Sequence, residues 1–293
     1  MFKKYLTDFS LVVVAIMWAL NFSVAKISLQ EIDPNSFNVL RFILAFLVLY
    51  IVAWKRGVSI KVKKEHFWKM VGLGLLGNLV YQLAFIIGLN YTYSANASVM
   101  LGTIPIWVAL FSQFFTDEKL TPLKTIGILF AFIGICGIIT GGKNPISFES
   151  ETFIGDLIII FAAIVWSVYT ILSKKYLQIY NSTQFSTFMS LVGLISLTIV
   201  GLPSLLTLEW NQISIKSYGG ILYSGLLSVG IAYLIWNNGV HKLGAVRTAA
   251  YQNLVPVLGL IFGAIILDEQ LTLFQYIGAL FVIAGIILAR FKK

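Results

Sequence analysis

The segment from Met100 to Gly141, MLGTIPIWVALFSQFFTDEKLTPLKTIGILFAFIGICGIITG, is written a second time from Tyr251, as YQNLVPVLGLIFGAIILDEQLTLFQYIGALFVIAGIILARF. At a constant offset of 151, Pro105 falls on Pro256, Asp117-Glu118 on Asp268-Glu269, Leu120-Thr121 on Leu271-Thr272, Gly127 on Gly278 and Gly134 on Gly285. Twelve of the thirty-five pairs from Pro105 to Ile139 are identical, without a gap. Two unrelated apolar segments would share Leu and Ile. A shared proline, acidic pair and glycines point to one ancestral unit, duplicated.

The chain around this repeat is 58% hydrophobic and 11% charged, whereas charged residues approach about a quarter of a soluble domain. It reads as an all-α integral membrane protein. The formal charge of +9 then belongs to lysines and arginines flanking apolar spans, not to a nucleic-acid surface. The single cysteine, Cys136, lies in an apolar run and reads as a packing residue. The N-terminus has the look of a signal peptide, but Trp18 and Lys26 have counterparts Trp166 and Lys174 at an offset of 148, which makes this segment a member of the duplicated unit.

A bilayer core about 30 Å thick needs roughly 20 apolar residues in a helix, because unpaired backbone groups in lipid cost too much. Ten transmembrane helices are expected, near 9–29, 36–54, 67–88, 93–115, 122–141, 152–173, 183–206, 216–238, 246–267 and 272–290. With both termini cytoplasmic, every lysine and arginine except Lys26, Arg41, Lys143 and Lys216 falls on the inner side, as the positive-inside rule requires. The location implied is the cell (inner) membrane. Five spans per unit is an odd number, so the units, 1–142 and 143–293, are expected to be two inverted five-helix repeats, joined at Gly141–Glu151. Inverted halves can exchange conformations and open a midplane site to each side in turn.

Three features, WALNF at 18–22, LRF at 40–42 and the two P(x)11-D-E-x-L-T units, make the chain resemble the EamA-type transporters of the drug/metabolite transporter superfamily over its whole length. The resemblance implies a ten-helix carrier whose cavity is lined mainly by spans 1, 3, 4, 6, 8 and 9. Members export amino acids, other metabolites or toxic compounds.

The candidate site residues are polar or aromatic side chains at membrane depth: Asn21, Tyr81, Gln82, Asn96 and Ser98 in the first unit, and Trp166, Tyr169, Tyr233, Asn237, Tyr251, Gln252 and Asn253 in the second. Amides and hydroxyls can hydrogen-bond a small polar solute while aromatic faces pack its apolar part, and the same groups also serve as hydrogen bonds between helices. Pro105 and Pro256 sit in mid-span and deprive the carbonyls of Leu101 and Gln252 of their helical partners, so each is a hinge or kink. The turn Tyr251-Gln252-Asn253 is expected to face a central cavity opposite Asn21, Tyr81 and Trp166. Arg41 is a possible charge contact, although it can also snorkel to the outer interface or pair with Glu31 or Asp33, and Lys26 has similar freedom. The two Asp-Glu pairs read as span junctions with Thr121-Pro122 and Thr272 as caps, and Gly137/Gly141 and Gly259/Gly263 as close helix packing.

No catalytic residue, metal ligand set or cofactor is indicated: His66 and His241 fall in loops, and the acids lie in loops or near span ends, Asp156 being the nearest to an exception. The function these features suggest is export or exchange of a small-molecule solute by alternating access within the lipid bilayer, an amino acid or similar zwitterionic or neutral solute being the best fit. Efflux of cationic or amphiphilic drugs is the alternative. A passive channel, a scaffold or, less well, a membrane enzyme are the readings from other classes.

Overall fold

The computed structural model describes residues 2–115, 121–140, 153–267 and 272–290. Among them every regular element is helical. Six helices are long and apolar enough to cross a membrane: α1 (Leu6–Ser28), α2 (Pro34–Lys55), α3 (Lys64–Tyr91), α7 (Phe153–Leu177), α8 (Ser182–Leu206) and α9 (Ile215–Leu243). Between and after them lie α4 (Ser94–Leu101), α5 (Ile104–Phe115), α6 (Pro122–Thr140), α10 (Ala245–Ala249), α11 (Leu254–Leu267) and α12 (Leu273–Arg290).

Local chemistry sets these ends. The Asp33 carboxylate accepts the backbone N–H groups of Asn35 and Ser36 at 2.9 and 3.2 Å, and Pro34 opens α2 where no N–H is needed. Asn181 caps α8 in the same way through Gln184, at 2.9 Å. Gly244, with φ 84°, turns the chain between α9 and α10 in a conformation that only glycine adopts cheaply. Pro122 stands at the start of α6, as read from the sequence. The two Asp-Glu pairs, and Gly141 with its place in the unit junction, lie outside the described residues.

The expected spans 93–115 and 246–267 are not single helices. The first is interrupted at Gly102-Thr103, between α4 and α5, and the second by a 3-10 turn over Ala250–Asn253, between α10 and α11. Each interruption comes just before a proline, Pro105 or Pro256. The missing proline N–H removes a helical bond, and the chain answers with a tighter turn. Irregular backbone at this depth is tolerated only against protein or water.

Two more irregularities sit at related positions. Wide π turns occupy Leu76–Val80 in α3 and Tyr223–Ile231 in α9, immediately before Tyr81 and Ala232-Tyr233. In the second of these turns Gly225 lets α9 press on α2, since a Cβ there would stand 2.7 Å from the Arg41 carbonyl oxygen. Such turns advance the side-chain register and commonly mark functional positions.

Residues that the repeat makes equivalent also meet one another. Trp18 and Trp166 make an edge-to-face contact at 5.9 Å, and Phe130 and Phe281 stack at 5.6 Å between α6 and α12. Large apolar side chains such as Ile199, Leu206, Phe274 and Leu280 face outward, as a lipid-facing surface requires. Trp54 and Trp68 are exposed at one end of the bundle and Tyr91, Tyr93 and Trp210 at the other, the pattern of two interfacial belts.

Candidate functional site

The centre of the bundle is aromatic. Trp166 is 1% exposed and contacts Tyr81 at 4.6 Å, Tyr233 at 5.0 Å, Tyr169 at 5.1 Å and Trp236 at 6.1 Å, with Trp18 edge-on beyond. The Trp18 indole N–H donates to the Ser228 carbonyl at 3.0 Å, fixing α1 to the wide turn of α9. Edge-to-face and tilted pairs of this kind hold rings rigidly.

Beside this cluster lies a cavity. Its wall comes from α1 (Trp18, Asn21, Phe22), α2 (Arg41), α3 (Tyr81, Gln82, Phe85), the end of α4 (Leu101), α9 (Ser228, Val229, Tyr233) and the broken helix around Gln252 and Val255. Space open to the centre of a water molecule is about 40 Å³, enough for a few waters. Leu101 and Gln252, each four residues before one of the two prolines, both line it.

Arg41 does not reach the interface. It is 1% exposed, and its Nε and Nη2 donate to the Asn38 Oδ1 at 3.0 and 2.6 Å, Nη2 also to the Gln82 Oε1, and Nη1 to the Ser224 hydroxyl at 3.4 Å. The Asn38 amide in turn donates to the Gln82 carbonyl at 3.2 Å. Glu31 and Asp33 are engaged elsewhere. Asp33 caps α2, and Glu31 accepts the Ser214 N–H at 2.8 Å, a bond that with the Ser217 and Ser214 hydroxyls holds its carboxylate below the ordinary value. Lys26 also turns inward: its Nζ donates to the carbonyls of Leu89, Asn90 and Thr92 at 2.7, 2.9 and 2.9 Å, closing the end of α3.

Of the candidate residues, Asn21, Tyr81, Gln82, Tyr233, Gln252 and Arg41 share the cavity wall. Trp166 and Tyr169 stand behind it in the aromatic cluster, Tyr169 packed on Gly77. Ser98 lies against Gly259, where α4 and α11 meet, and Asn237 donates to the Ser186 hydroxyl at 2.8 Å. Asn253 is buried in the 3-10 turn, and the Asn96 side chain lies outside the described residues. Tyr251 is directed elsewhere: its hydroxyl donates to the Asp8 carboxylate at 2.5 Å, and Arg247 pairs with the same carboxylate at 3.0 and 3.1 Å.

Sequence reasoning missed Asp8, 6% exposed, as a buried acid. Asp156, the suspected exception, is 2% exposed and accepts from the Thr92 hydroxyl at 2.5 Å. It also missed the apolar wall residues Phe22, Phe85 and Val229. Single apolar residues on three different helices carry no signal beyond hydropathy, whereas Trp18 could have been found through its repeat partner Trp166. No group of three metal-ligating side chains occurs among the described residues.

Known proteins place this geometry in context. The sequence pattern of the EamA-like transporter family matches the chain twice, over residues 6–140 and 153–291. An "uncharacterized transporter" of Archaeoglobus fulgidus is 30% identical over 291 residues, 98% of each chain. The "uncharacterized transporter" YyaM of Bacillus subtilis is 28% identical over 269 residues, 92% of this chain and 88% of that one. A solved crystal structure superposes with a TM-score of 0.79 at 20% identity, covering 97% of this chain and 95% of that chain, a likeness of fold. With the family pattern spanning nearly all of its length, the chain belongs to the EamA-like transporter family, a family of multi-pass membrane transporters.

Proposed function

We propose that this protein is an alternating-access carrier that exports or exchanges a small metabolite, an amino acid or similar zwitterionic or neutral solute, across the cell (inner) membrane. Ten spans, formed as inverted units 1–142 and 143–293 with both termini in the cytoplasm, are the architecture of this reading. Two family matches and three touching pairs of repeat-equivalent residues support it, because a twofold axis brings a residue to its own image only near the axis.

One observation carries the functional reading: a cavity walled by both units, at two broken helices, with amide and hydroxyl groups on one part of its wall and aromatic rings on another. Polar groups there can fix a solute's orientation, and the rings accept its apolar part. Asn21, Tyr81, Gln82, Tyr233 and Gln252 are the contacts in this reading, with Pro105 and Pro256 as hinges.

Arg41 in the wall weighs against a cationic drug as the preferred cargo, since like charge would meet like charge in a site with little water. The test is an unbiased comparison of the metabolites that accumulate outside cells with and without the protein. Amino acids or comparable zwitterions should rise with expression. Consistent accumulation of a sugar phosphate would contradict the reading.

A further inference from the structure

We propose that Arg41 anchors a carboxylate of the transported solute while the carboxamide oxygens of Asn21 and Gln252 take its ammonium donors, so that the cavity selects amino acids as zwitterions. This rests on the carrier reading above and adds the chemistry of the cargo.

Arg41 is a whole positive charge in the cavity wall whose partners are all neutral. A guanidinium has five N–H donors. Three serve Asn38 and Gln82, one makes the long contact with Ser224, and the fifth, on Nη1, has no acceptor among the described residues. Phe37 and Phe85 present ring faces 5.5 and 5.8 Å from the guanidinium carbon. No carboxylate lies within ion-pairing distance among the described residues. A buried cation left this way is costly, and an anion arriving with the solute is the natural complement.

The repeat provides an internal control. Offsets of 148 to 151 carry Arg41 onto Met189, Ser190, Leu191 and Val192, none of them charged. A cation needed only to pack this helix would be needed in both units. It is present in one.

Two buried acceptors on the same wall complete the pattern. Among the described residues, the Asn21 Oδ1 and Gln252 Oε1, on residues 3% and 6% exposed, have no hydrogen-bond partner. Native interiors rarely leave such atoms unpaired, and a carboxylate cannot satisfy them because it too only accepts. An ammonium can. A phosphate dianion would call for a second cation, yet Lys26 is spent on three carbonyls and Arg247 on Asp8.

The experiment is a thermal-shift titration of the purified full-length protein in detergent with L-leucine and L-phenylalanine, against their amides and the decarboxylated amines isoamylamine and phenethylamine. The free acids should stabilise the protein at concentrations about tenfold lower than the amides or amines, and Arg41→Gln should abolish that preference. If the variant does not fold, the comparison on the unaltered protein decides alone. Amides or amines as effective as the acids, or no effect of either acid, overturns the anchor. Counterflow of an uncharged metabolite that Arg41→Gln leaves intact would overturn the anchor and keep the carrier. Absence of counterflow for every solute tried would count against the carrier itself.

Discussion

The Gln82 amide donates to the Tyr233 hydroxyl at 2.5 Å, and the two residues are 151 apart, the offset of the sequence repeat. Two residues separated by that offset therefore touch in the wall of the cavity. Because Gln82 also receives Arg41, a change in how the units meet would be felt by the buried cation.

Gln82→Leu and Tyr233→Phe should accordingly not act independently. Each removes one partner of a buried hydrogen bond, a loss of about 1 to 3 kcal/mol. The double variant should melt close to the worse single variant in a detergent melting series. Melting losses that simply add would show that the two side chains are not coupled.

The broken helix should divide its labour. Gln252→Leu removes an acceptor on the cavity wall and is expected to weaken apparent solute affinity by about tenfold at normal membrane levels. Tyr251→Phe cuts the bond to Asp8 that ties α1 to the 3-10 turn, so the transport rate should change and the apparent affinity should not. A common affinity loss in both variants, measured by initial-rate uptake, would place Tyr251 at the solute instead.

Lys26→Met is expected to lower the melting temperature and leave solute preference unchanged. Its ammonium satisfies three carbonyls at the end of α3, each charge-assisted bond contributing about 1.5 to 3 kcal/mol before the cost of burying the lysine. A shift in selectivity without loss of stability would show that this amine reads the solute.

Cysteine labelling in sealed cells tests the orientation. In a background where Cys136 is replaced, Ser59→Cys should be protected from an impermeant reagent outside, and Gln212→Cys, exposed between α8 and α9, should react. The reverse pattern would invert the topology.

Much of the architecture was legible in the sequence for physical reasons. Lipid demands long apolar helices, so hydropathy marks the six long spans to within a few residues, and a gap-free copy of a proline and an acidic pair marks the duplication. The prolines announced irregular backbone but not its form: whether a helix bends or breaks depends on neighbours such as Gly102-Thr103 or the turn at Ala250. The amides were legible as a group, yet which of them share a wall depends on helix rotation, set by packing. Arg41 shows the limit best. From its place near a span end, snorkelling was physically reasonable, and Asn38 one turn earlier on α2, together with Gln82 on α3 and Ser224 on α9, explains why it turns inward. Asp8 and Tyr251 are likewise 243 residues apart, and nothing local announces their bond.

The central claim, a carrier with a solute site alternately open to each side, is tested most directly by counterflow in proteoliposomes. Vesicles loaded with unlabelled L-leucine or L-phenylalanine should take up the same labelled amino acid transiently above equilibrium, with saturation in the external concentration. Uptake that is linear in concentration and indifferent to internal amino acid would describe a channel, and no uptake in any vesicle preparation would describe a scaffold; either result would contradict the account.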